Sequence, residues 1–172
     1  MTRSVLKLLT GLVVAFAILP LAPVSAQDAK KDDPAFLSFG AGFYDFNRKK
    51  EKGAEFRVEY RSDKKFGFFK PFAAGAYTST QQGFIGAGVL VDLFLGRRFV
   101  LTPSFAPHYY WGGNNKLDLG HKVEFRSQAE IAYRFDNRAR LGLAISHYSN
   151  ASLADQNPGT ETLTLYYSLP LQ

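Results

Sequence analysis

AEFRVEYRS (Ala54–Ser62) and KVEFRSQAEIAYRF (Lys122–Phe135) decide the fold. In the first, Phe56, Val58 and Tyr60 share one parity, while Glu55, Arg57, Glu59 and Arg61 share the other. In the second, Val123, Phe125, Ile131 and Tyr133 alternate with Lys122, Glu124, Arg126, Gln128, Glu130 and Arg134. Strict period-two alternation places each strand between two unlike environments, one apolar and one able to hold charge.

Working outward, turn residues divide the chain from Phe36 onward into eight runs, near 35–45, 53–61, 66–78, 83–95, 98–110, 119–135, 139–149 and 161–171. Tight charged turns fall at Ser62–Lys65, Gly96–Arg98 and Asp136–Arg138. Longer links fall at Phe46–Lys52, Ser79–Gln82, Gly112–Asp118 and Asn150–Thr160. An even number of strands with alternating short and long links predicts an all-β, eight-stranded antiparallel transmembrane β-barrel. The rival is a soluble eight-stranded barrel of the lipocalin kind, with the apolar parity inside. Two features favour the membrane version. Aromatic residues collect near strand ends as an interfacial girdle (Tyr44, Tyr109, Tyr110, Trp111, Tyr133, Tyr166, Tyr167), and the charged parity mixes signs closely enough to pair within a narrow lumen. Eight strands leave room for side chains and not for a pore, so the inner charges Glu55, Arg57, Glu59, Glu124, Arg126 and Glu130 read as an ion-pair network.

Met1–Ala26 has the layout of an export signal: Arg3 and Lys7, an apolar stretch from Leu8 to Leu21, and Val24-Ser25-Ala26 as the cleavage site. Residues 27–34 (QDAKKDDP) form a short polar lead, and 35–172 are the barrel domain. The 21 basic residues less Arg3 and Lys7, set against 15 acidic ones, leave an excess of +4, too mild for a nucleic-acid footprint. With no cysteine, no disulfide staples the fold.

HYSNASLADQNPGTETLTLYYSLPL (His147–Leu171) carries the chemistry. His147 and Ser149 share parity with Leu143 and Ile145; Glu161 shares it with Leu163 and Leu165. Lipid on the greasy side puts all three polar residues outside the barrel, at its rim. A charged group on the lipid face costs about 2–4 kcal/mol at midplane but only about 0–1 near the interface, so a rim position is tolerable. Across a hairpin Glu161 can reach His147, with Ser149 two residues further along. A carboxylate orienting an imidazole that activates a hydroxyl is the logic of acyl transfer. Spacing alone leaves this open against a belt histidine, a strand-end serine and a loop glutamate.

HYSNASL, followed by NPG and ETLTLYYSL, resembles the C-terminal signature of the PagL-type lipid A 3-O-deacylases, an outer-membrane acyl-hydrolase family. The resemblance covers the last two strands. It implies His147 as base, Ser149 as nucleophile and Glu161 as orienting acid, with Asn157 or, as a weaker candidate, Asn150 in the oxyanion hole. It further implies hydrolysis of the ester at the 3 position of lipid A, releasing a 3-hydroxy fatty acid. Implied too are no cofactor, lipopolysaccharide as substrate, surrounding outer-membrane lipid, no nucleic-acid partner, and a site at the outer leaflet of a Gram-negative outer membrane. A homodimer stays open. Arg48, Lys49, Lys50 and Lys52 crowd the first long link, where they either hold lipid A phosphates or form a solvated surface. His108 has inner parity and His121 lies near the rim; three scattered histidines make no metal site. The alternative from another class is a non-catalytic structural or adhesive barrel.

Overall fold

The computed structural model describes residues 33–171 apart from Arg48 and Asn115, so the export signal and most of the polar lead lie outside the described residues. Nine strand segments follow in order: β1 Phe36–Tyr44, β2 Gly53–Arg61, β3 Lys70–Thr78, β4 Gly83–Leu90, β5 Leu93–Leu95, β6 Phe99–Trp111, β7 Val123–Arg134, β8 Arg140–Ser149 and β9 Thr160–Pro170. All pairings are antiparallel between chain neighbours, except that β1 pairs β9 and β4 pairs β6 across the short β5. β4 and β5 both lie against β6, so they are two segments of one stave, and eight staves close into a barrel.

Side-chain direction settles membrane against soluble barrel. Along β2, Glu55, Arg57, Glu59 and Arg61 are buried, whereas Phe56 is 64% and Val58 47% exposed. The apolar parity therefore faces outward, the reverse of a lipocalin, and forms a wall that only hydrocarbon suits. The lumen is tied together by charge. Arg57 Nη2 donates to Glu55 Oε1 at 2.6 Å, Arg126 Nη1 to Glu59 Oε1 at 2.7 Å and Arg61 Nη2 to Glu130 Oε2 at 2.6 Å. Glu124 departs from the expected network. It is fully buried, yet neither carboxylate oxygen has a partner among the described residues. The nearest arginine in sequence, Arg126, is taken by Glu59.

Three further expectations change. The third run begins at Lys70 and not at 66, because Phe66 and Phe69 close a tight turn on themselves by mutual backbone bonds, with Gly67 at φ 65°. The fourth run breaks at Val91-Asp92, where the buried Asp92 carboxylate binds Lys70, Thr102 and Arg140. Tyr44, Tyr110 and Tyr166 are not girdle residues; they are buried in the lumen, with Tyr44 and Tyr110 both donating to Gln82 Oε1. Tyr109, Trp111, Tyr133 and Tyr167 do lie on the outer wall.

Candidate active site

β8 and β9 form a hairpin whose register pairs Leu143 with Leu165, Ile145 with Leu163 and His147 with Glu161. Parity sends these pairs outward, while Ser146 and Tyr148 are buried within. His147 Nδ1 stands 3.1 Å from Glu161 Oε1. An ionised carboxylate accepts only, so Nδ1 is the donor of this pair, which in the neutral tautomer leaves Nε2 unprotonated. The imidazole is half-exposed and the carboxylate mostly covered.

Ser149 lies on the same face, beside Phe125 of β7 in register and partly exposed. Among the described residues no hydrogen bond joins its hydroxyl to His147. Strand geometry explains the gap, since residues two apart stand about 6.6–6.8 Å apart along the strand.

The two asparagines part company. Asn150 is fully buried and its side chain is spent on the loop: Nδ2 donates to Leu119 O and Gln156 O, and Oδ1 accepts from Ser152 N. Its backbone N–H donates to Asn157 Oδ1 at 3.1 Å. Asn157 is exposed, and that bond fixes its amide beside the Ser149–Asn150 peptide with Nδ2 as the remaining donor. The pin formed by Asn150 was not foreseen, and neither was its partner loop. That loop approaches so closely that a Cβ on Gly120 would sit 2.6 Å from Gln156 O.

The first long link does reach the site. Phe46 N donates to Glu161 O at 3.3 Å, and Asp45 accepts from Thr160 Oγ1 and from Glu51 N. Lys49, Lys50 and Lys52 on that link are exposed, and Arg48 lies outside the described residues. His108 is buried as its parity requires, and His121 Nδ1 accepts from Val123 N at 2.9 Å. Among the described residues no group of three or more metal-binding side chains comes together.

The profile of the family described as lipid A 3-O-deacylase (PagL) matches residues 54–170, from β2 through the last strand. The chain belongs to the PagL family. A curated relative, lipid A deacylase PagL of Pseudomonas aeruginosa, is 32% identical over 88 residues, 51% of this chain and 42% of that protein. The matched stretch thus spans less than half of that PagL's length. The crystal structure of the outer membrane enzyme PagL superposes with a TM-score of 0.63 at 19% identity, covering 79% of this chain and 99% of that one. A de novo designed transmembrane β-barrel gives 0.56 at 9% identity, covering 81% and 98%. Neisserial surface protein A gives 0.56 at 10%, covering 82% and 98%. At such identities the likeness is one of fold, and it is shared by PagL and by barrels outside its family.

Proposed function

We propose that this PagL-family barrel is a lipid A 3-O-deacylase working as a serine esterase from its outer wall. The observation that carries the reading is the His147–Glu161 pair at 3.1 Å on the hydrocarbon-facing side, two residues from Ser149. A soluble substrate gives no reason to build an acid–base pair there. An ester whose acyl chains already lie in the bilayer does.

The chemistry follows from the groups present. Ser149 Oγ attacks the ester carbonyl as His147 Nε2 takes its proton, and Glu161 stabilises the imidazolium formed. Asn157 Nδ2 donates to the developing oxyanion. The imidazolium then protonates the departing sugar oxygen at the 3 position, leaving an acyl-enzyme on Ser149. Water, deprotonated by the same imidazole, attacks that ester and frees a 3-hydroxy fatty acid and the serine. No cofactor enters.

With Met1–Ala26 removed on export and the N-terminus periplasmic, β8 runs outward and the β8–β9 loop is extracellular. The site then lies in the outer leaflet, where lipid A resides, and the Lys49–Lys52 link stands at headgroup level. Mass spectrometry of lipid A from cells carrying the protein or its Ser149→Ala variant tests this. Loss of one 3-hydroxyacyl mass, only with the native serine, is expected. Unaltered lipid A in both would leave a structural barrel.

A further inference from the structure

The outer face of β7 turns Phe125, Ala129 and Ile131 toward hydrocarbon, and between them stands an aliphatic hydroxyl, Ser127. It is exposed, and among the described residues it has no hydrogen-bond partner. A hydroxyl without a partner is costly in an apolar setting, and alanine would fill the same place without that cost. Register says where it stands. Ser127 pairs with His147 and His147 with Glu161, so the three form one row across β7, β8 and β9. Facing side chains in such a row have Cβ atoms about 4.5–5.5 Å apart. Glu161 holds the imidazole by Nδ1 from the β9 side. Nε2 lies across the ring from Nδ1, and Ser127 is the polar neighbour on the β7 side. Ser149 pairs with Phe125 and belongs to the next outward-facing row.

We infer that Ser127 positions the water that hydrolyses the acyl-enzyme, an inference that rests on the serine-esterase reading above. While Ser149 is free, its own hydroxyl is the proton donor to Nε2. Once Ser149 is acylated that proton is gone, and the imidazole must act on a water instead. An ordered water needs at least about two polar partners. The outward neighbours Phe125, Ala129 and Ile145 supply none. Nε2 accepts one proton of the water and Ser127 Oγ accepts a hydrogen bond from the other, which leaves a lone pair for the acyl carbonyl. The water oxygen bonds to that carbon as its first proton passes to Nε2. The bond from the carbon to Ser149 Oγ then breaks, and the imidazolium returns the proton to Oγ. The fatty acid leaves with the water oxygen and its second hydrogen, and Ser127 is unchanged.

Acid-quenched time courses of the refolded barrel with lipid A in detergent micelles separate the two half-reactions. Deacylated lipid A reports acylation of the protein, free fatty acid reports release, and intact-protein mass reports what stays bound. In Ser127→Ala the first equivalent of deacylated lipid A should appear at close to the native rate. Fatty-acid release should slow by about tenfold to a hundredfold, the scale of loss when a reacting group is misplaced by about 1 Å. One 3-hydroxyacyl mass should then accumulate on the protein and map to Ser149. Ser127→Thr, which keeps the hydroxyl on a strand-compatible side chain, should restore release. Hydroxylamine, a nucleophile less dependent on a positioned base, should speed release from Ser127→Ala more than from the native chain. Acylation slowed as much as release, or no acyl-enzyme in Ser127→Ala, would overturn the inference and make Ser127 a contact to the substrate. An acyl group mapped to Ser127 would overturn it as well. A native chain that deacylates nothing sinks the esterase reading and this inference with it. An active native chain whose Ser127→Ala variant behaves identically sinks the inference alone.

Discussion

Tyr148 points into the lumen between the outward-facing His147 and Ser149, and its hydroxyl accepts a hydrogen bond from Arg57 Nη2 at 3.0 Å. The same guanidinium reaches Glu55, Gln128 and Tyr166, so one buried cation on β2 holds β7, β8 and β9 from within. The wall that carries the candidate site is thus braced on its inner side.

Arg57→Ala should therefore destabilise the barrel by about 3–5 kcal/mol, because it strands the buried Glu55 carboxylate without its cation. Denaturant unfolding of the reconstituted barrel checks this. Tyr148→Phe removes one hydrogen bond to a charged group and should lose about 1.5–3 kcal/mol. A loss no greater for Arg57→Ala than for Tyr148→Phe would show that the lumen network is not cooperative.

On the outer face, Ser149→Ala and His147→Asn should each lower deacylation by about 10³-fold or more with heat-modifiable gel migration intact. Glu161→Ala should be milder by about tenfold to a hundredfold, since it orients a base that remains present. Assay of lipid A release in membranes of equal barrel content decides. A Ser149→Ala membrane with full activity would remove the acyl-enzyme from the mechanism.

Much of this was legible because barrel strands write their environment in parity. Glu55, Arg57 and Glu59 alternate with Phe56, Val58 and Tyr60, and the structure puts the two sets on opposite sides of the wall. The facing of His147 and Glu161 followed from the same count, though their register needed the hairpin itself. Parity was also the signal missed for Tyr44, Tyr110 and Tyr166, which share their faces with Gly42, His108 and Thr164 and point inward. Run length misled at Phe66–Phe69, where apolar residues read as strand and the chain turns back on itself. No local pattern could disclose the Asn150 pin, because its acceptor Leu119 O is 31 residues away and belongs to another loop.

The two asparagines separate by experiment. Asn157→Ala should cut kcat by about 10²–10³-fold, the usual loss for one oxyanion donor, with thermal stability unchanged. Asn150→Ala should instead loosen the 150–157 loop, leaving Leu119 O and Gln156 O without their donor and lowering stability by about 1–3 kcal/mol. Kinetics of both variants beside their unfolding curves tell them apart. A stable, inactive Asn150→Ala would move the oxyanion donor to the backbone of the loop it holds.

The first long link gives the last expectation. It is tied to β9 by Phe46 N on Glu161 O, and Lys49, Lys50 and Lys52 stand exposed on it. Replacing these three and Arg48 with Gln should raise the apparent KM for lipid A while leaving kcat near its original value, as expected of charges that hold headgroup phosphates and take no part in the chemistry at the ester. Attraction between exposed ammonium groups and phosphates decays over about 10 Å at 0.1 M salt and about 3 Å at 1 M. The difference in KM between native and neutralised barrels should therefore shrink steadily across that range. Equal KM values at low salt would make the link a solvated surface and leave substrate holding to the apolar wall around Ile145 and Leu163.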